Sequence, residues 1–116
     1  MKILIEDIDK IIINETYIYY DQPLAYSFFL NEKLFFAYAW GYEEECFIFL
    51  FIETNQEKLN LLVQNKICIK SFIRDSTLNS EASEFFFNKE KTRVEYKFWK
   101  DLEKDCYIKE NIFLMD

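Results

Sequence analysis

Two runs near the middle of the chain, Leu34 to Trp40 and Cys46 to Ile52, are apolar at odd and even positions alike. Successive side chains of an extended strand point to opposite faces, so Leu34, Phe36, Tyr38 and Trp40 share one face while Phe35, Ala37 and Ala39 share the other. In the second run Cys46, Ile48, Leu50 and Ile52 oppose Phe47, Phe49 and Phe51 in the same way. Seven apolar residues fall far short of the roughly 20 that a membrane-spanning helix needs. These are strands that must be covered on both sides.

Their neighbours complete a sheet. Residues 11–20 are rich in β-branched and aromatic types and predict a strand, Pro23 marks a turn, and Leu24 to Leu30 is the return strand. Asn31-Glu32-Lys33 predicts a short hairpin loop and Gly41-Tyr42-Glu43-Glu44 the next turn, before a fourth strand from Glu45 to Glu53. Thr54-Asn55-Gln56-Glu57 has the spacing of a capping box, and Leu59, Leu62 and Val63 continue it at helical period to an end near Asn65-Lys66. Ile69, Phe72 and Ile73 share a face of a second short helix running to Asp75, and the polar stretch 75–83 predicts a loop. Glu84 to Phe87 and Thr92 to Phe98 form a second hairpin, in whose last strand Val94, Tyr96 and Phe98 alternate with Arg93, Glu95 and Lys97 as a buried and a wet face. A helical turn after Trp99 and an apolar ending at Ile112-Phe113-Leu114 close the chain. The expected fold is α+β in a single domain over 1–116, an antiparallel sheet of about six strands made of a four-strand meander, two short helices and a C-terminal hairpin. Two short helices cover one face only. The other needs curling of the sheet, the C-terminal tail, or another chain.

Composition narrows the chemistry. The chain has no histidine, which removes Ser-His-Asp, Cys-His and His-metal mechanisms. Its single glycine, Gly41, excludes the glycine-rich phosphate loops and leaves most turns to Asn, Asp, Ser and Lys. Cys46, Cys68 and Cys106 are widely spaced and form no C-x-x-C pair, as expected of free thiols in a reducing compartment. Glu6, Asp7 and Asp9 fit no calcium loop, so neither metal nor cofactor is expected. After Met-Lys the first apolar run is three residues long before these acids, too short for a secretion signal, which places the expected site of action in the cytoplasm. Net charge is −7 and uneven: residues 1–57 hold 11 acids and 3 bases, residues 58–116 hold 10 acids and 11 bases. That balance disfavours nucleic acid and anionic membrane and favours a basic protein surface. Arg93, Lys97, Lys100 and Lys104 form only a modest basic stripe.

Four segments, Tyr20-Asp21-Gln22-Pro23-Leu24, Glu57 to Leu62, Ile67 to Phe72 and Asp105 to Leu114, together resemble a family of small uncharacterised bacterial domains. That family has a Y-D-G-P-L-L turn, an E-x-L-x-x-L helix, an I-S-L-R-x-A helix and an E-Y-L-P-E-E-G-V-F-L ending. The resemblance spans roughly residues 11–114, with Gln22 and Asn111 standing where the family usually has glycine. It implies a fold and carries no catalytic residue across.

With 20% aromatic residues and an acidic first half, the chain is expected to be a non-enzymatic interaction module. Its expected partner-binding residues are Glu43, Glu44, Glu45, Tyr17, Tyr19 and Tyr42, docking on a basic protein surface. An inhibitor role fits, such as a phage-type blocker of a bacterial nucleic-acid-targeting defence enzyme in which the glutamates stand in for phosphates. Two alternatives stand beside it. One is a homodimer or larger homo-oligomeric scaffold joined through the doubly apolar sheet; the other is an enzyme using only carboxylates and tyrosines, which requires a polar pocket holding two close carboxylates.

Overall fold

The computed structural model describes residues 2–115. Six strands form one antiparallel sheet in chain order: β1 (Ile12–Tyr20), β2 (Gln22–Leu30), β3 (Lys33–Glu43), β4 (Cys46–Thr54), β5 (Ala82–Phe87) and β6 (Arg93–Lys97). Between β4 and β5 lie α1 (Gln56–Val63) and α2 (Ile69–Thr77), and a short α3 (Trp99–Leu102) follows β6. The fold is α+β.

The parity of the central strands holds. Leu34, Phe36, Leu50 and Ile52 face the helices and pack with Leu59 and Leu62 of α1, Ile69, Phe72 and Ile73 of α2, and Trp99 and Leu102 of α3. Phe28, Phe35, Phe49, Phe51 and Phe85 fill the opposite face. That face is covered partly by its own aromatic rings. Ala37 and Ala39 on β3 are small, so rings from the strands on either side meet above them: Phe28 with Phe51 at 5.2 Å and Tyr26 with Phe49 at 6.2 Å. The rest of the cover is an N-terminal strap, a 3-10 segment over Ile5–Lys10 preceded by an extended stretch. Ile3 is fully buried in the phenylalanine cluster, and Ile8 and Ile11 pack at its margin. The strap is pinned to the last two strands, because the Ile3 N–H donates to Ser83 Oγ (3.2 Å) and the Tyr96 hydroxyl donates to the Ile3 carbonyl (2.7 Å). The C-terminal tail, expected as a possible cover here, packs instead on the helix side through Leu114.

Local chemistry moved three boundaries. β3 runs through the expected turn at Gly41 to Glu43, because a bulge at Trp40 breaks the register and seats Gly41 opposite Ile48. A Cβ on Gly41 would lie 3.2 Å from Ile48 Cδ1, a tight contact to which the Ile48 side chain would have to yield, so the chain's only glycine sits within a strand and not in a turn. The turn itself is Glu44-Glu45, both left-handed at φ 43° and 63°. The α1 cap is Asn55, whose Oδ1 accepts from the Lys58 N–H at 2.9 Å, and not Thr54 one residue earlier. The loop expected over 75–83 shrinks to 78–81, since α2 continues to Thr77, whose buried hydroxyl donates to the Ile73 carbonyl, and β5 already begins at Ala82. The end of α1 falls as expected: Asn65 is left-handed (φ 57°), and the amides of Asn65 and Lys66 donate back to the Leu62 and Leu61 carbonyls.

Candidate functional site

An up-and-down meander brings every second turn to the same end. The tips at Tyr20–Gln22, Glu43–Cys46 and Phe87–Arg93 therefore cluster, and Lys89 Nζ reaches to 3.9 Å from Glu45 Oε2 across two of them. Tyr19 and Tyr42 are exposed at this end, 68% and 60% accessible, with the Tyr42 ring resting edgewise on Phe47 at 4.8 Å. Five acids, Asp21, Glu43, Glu44, Glu45 and Glu90, share the tips with Lys89, Lys91 and Arg93.

Beside these tips, on the helix side, a groove of about 540 Å³ lies between the end of β3, the face of β5–β6 and the tail at Asp105–Tyr107. Its floor is Glu84, whose residue exposure is only 3%. Register puts Glu84 directly opposite Glu95, an unfavourable pairing of like charges. Lys97 resolves it from the same face, with its Nζ 2.7 Å from Glu84 Oε1 and 3.6 Å from Glu95 Oε1. The bulged Trp40 donates its indole N–H to Glu84 Oε2 at 3.0 Å. Arg93 pairs with Glu95, and its guanidinium lies 3.7 Å above the Phe86 ring. Burial pushes the Lys97 ammonium down, but Glu84, Glu95 and Asp105 outweigh it and hold its pKa above the ordinary lysine value.

Of the six residues singled out in the sequence, the fold gathers Glu43, Glu44, Glu45, Tyr19 and Tyr42 at the tips. Tyr17 is set apart: it is half-buried on the helix side, its ring lies tilted 6.3 Å from that of Phe36, and its hydroxyl hydrogen-bonds Ser27 Oγ at 3.0 Å. Burial raises its pKa, with the Ser27 hydrogen bond opposing and Glu15 adding to the rise. The other first-half acids scatter: Asp7 closes the strap by accepting from the Leu4 N–H (2.8 Å), while Glu32 and Glu53 lie at the opposite end of the strands. The sequence reading missed Glu84 and Trp40 as partners. The signal was a lone glutamate at the centre of Ala-Ser-Glu-Phe-Phe-Phe, whose face only the β4–β5 register fixes. The β6 face read as wet, Arg93, Glu95 and Lys97, is the groove wall.

Among the described residues no group of three or more Cys, Asp or Glu side chains is placed to hold a metal ion, and no helix is long and apolar enough to cross a membrane. No protein-family model, no curated protein and no solved structure matches this chain.

Proposed function

We propose that this protein is a non-enzymatic interaction module that docks the acidic, tyrosine-bearing tips of its sheet onto a basic surface of a partner protein. The observation that carries this is the Glu43-Glu44-Glu45 hairpin. Two glutamates hold left-handed backbone conformations at its apex, where Asn-Gly is the unstrained choice. Asn31-Glu32 at the opposite end is left-handed too, so what sets this tip apart is three consecutive carboxylates at one apex beside exposed tyrosines. Tyr19 and Tyr42 beside them supply rigid contact area at little entropic cost. A partner that binds nucleic acid offers a surface of the required charge, and the glutamates then occupy places that phosphates would fill.

The carboxylate-enzyme reading has its two adjacent acids in Glu84 and Glu95. Against it, Lys97 stands between them and Trp40 engages the second oxygen of Glu84, so neither oxygen of the buried acid is open to a substrate proton.

The test is affinity capture of the tagged protein from the source cell's lysate at low and high salt, comparing wild type with the triple variant Glu43→Lys, Glu44→Lys, Glu45→Lys. A control carries Glu32→Lys and Glu57→Lys, which lie away from the tips. A stoichiometric basic partner, released by salt, bound about tenfold or more weakly by the triple variant and normally by the control, is the expected result. Equal capture by all three proteins overturns the reading.

A further inference from the structure

We propose that the groove beside the tips is a receptor for one arginine side chain of the partner, taking its guanidinium between carboxylates and aromatic faces. The inference rests on the docking reading above and names the chemistry that the partner must present.

Charge is the first argument. Glu43, Glu84, Glu95 and Asp105 line the groove against Arg93 and Lys97, so two cations face four carboxylates: Lys97 pairs with Glu84 and Glu95 and also draws on Asp105, while Arg93 is held by Glu95. Glu84 cannot relieve the imbalance by turning to water, because it is buried with the Lys97 ammonium 2.7 Å from its Oε1 and the Trp40 indole N–H on its Oε2. The field in the groove is that of an anion short of one or two counter-charges, and a low-dielectric floor sharpens it.

Shape and surface are the second. Trp40 lines the groove, and Tyr107 stands at its mouth 86% exposed. A flat, weakly hydrated guanidinium stacks on such rings and pairs with a carboxylate through two parallel N–H groups, which an ammonium cannot do. The chain already makes this arrangement once in the same wall, where Arg93 lies over Phe86 while paired to Glu95. An incoming arginine would repeat it against Asp105 and Tyr107. Anions are poor candidates, since both groove cations are already engaged by carboxylates.

The probe is N-acetyl-arginine amide, which has a neutral backbone and a cationic side chain, titrated into the labelled full-length protein. The readout is the indole N–H resonance of Trp40, assigned by its loss in Trp40→Phe and distinct from that of Trp99 in the helix-side core. A saturable shift is expected, with N-acetyl-citrulline amide, the uncharged isostere, binding at least about tenfold more weakly. Asp105→Asn and Tyr107→Ala change exposed residues, so the remaining resonances should stay in place while affinity for the arginine amide falls about three- to tenfold. Absence of a saturable shift, an equal response to the citrulline amide, or a Trp40 response to inorganic phosphate in its place overturns the proposal. If one of these occurs while the triple glutamate variant still abolishes partner capture, docking runs through the tips alone. If the arginine amide binds but capture ignores the triple variant, the groove stands and the tip reading falls.

Discussion

Glu44 and Glu45 hold a backbone shape that suits Asn-Gly, and a non-glycine residue there costs on the order of 1 kcal/mol. Replacing them as Glu44→Asn with Glu45→Gly is therefore expected to raise stability by about 1–2 kcal/mol in urea unfolding while weakening capture of the partner. Gain of stability without loss of binding would show that the glutamates are there for the turn alone. Lys97 offers the converse case. Lys97→Met leaves Glu84 and Glu95 facing one another across the β5–β6 ladder and should cost about 2–4 kcal/mol. Adding Glu84→Gln should return part of that loss, a coupling that a double-mutant cycle of urea midpoints measures directly.

At the level of elements, the strands were legible because a period of two needs only neighbouring letters. Phe35, Phe49 and Phe51 were assigned to the face opposite Phe36, Leu50 and Ile52, and lie there. What local pattern cannot carry is register. Gly41 looks like a turn until the Trp40 bulge brings Ile48 beside it, and Glu84 looks solvated until Trp40 and Lys97 are set against it. The strap is invisible to local pattern for the same reason, as Ile3 is fixed by Ser83 and Tyr96 far along the chain. Ile3→Ala is expected to cost about 2–4 kcal/mol and to raise binding of a hydrophobic dye, since it opens the phenylalanine face. Asn65 joins two elements at once: left-handed at the end of α1, its side chain also clasps Met115, with Nδ2 donating to the carbonyl (3.1 Å) and Oδ1 accepting from the amide (3.0 Å). Asn65→Ala loses both and should destabilise by about 1–2 kcal/mol, whereas Asn65→Gly keeps the turn and should cost less.

Across the whole molecule, the acidity of residues 1–57 does not become one acidic face. The meander sends Glu43, Glu44 and Glu45 to one end of the strands and Glu32 and Glu53 to the other, so linear charge bias overstated the field that a partner meets. Alkaline sensitivity is a global property too. Burial pushes Tyr26 up to about 12, and the folded Lys97 also holds its proton more tightly than the unfolded chain does. Both contributions are complete below pH ~10 and are lost as pH climbs through the folded values, because only the unfolded state releases protons readily there. The urea midpoint should therefore fall between about pH 10 and 12, and Tyr26→Phe should flatten part of that fall.

The strap has a consequence for how the chain is made. Residue 3 leaves the ribosome some 80 residues before Ser83 and 93 before Tyr96, the groups that will fix it. Until those late strands emerge, the strap has no berth and the phenylalanine face of β2–β4 stays open to water and to other nascent chains. Closure of the strap thus waits for β5 and β6, so that residue 3, translated long before them, is among the last of these residues to find its place.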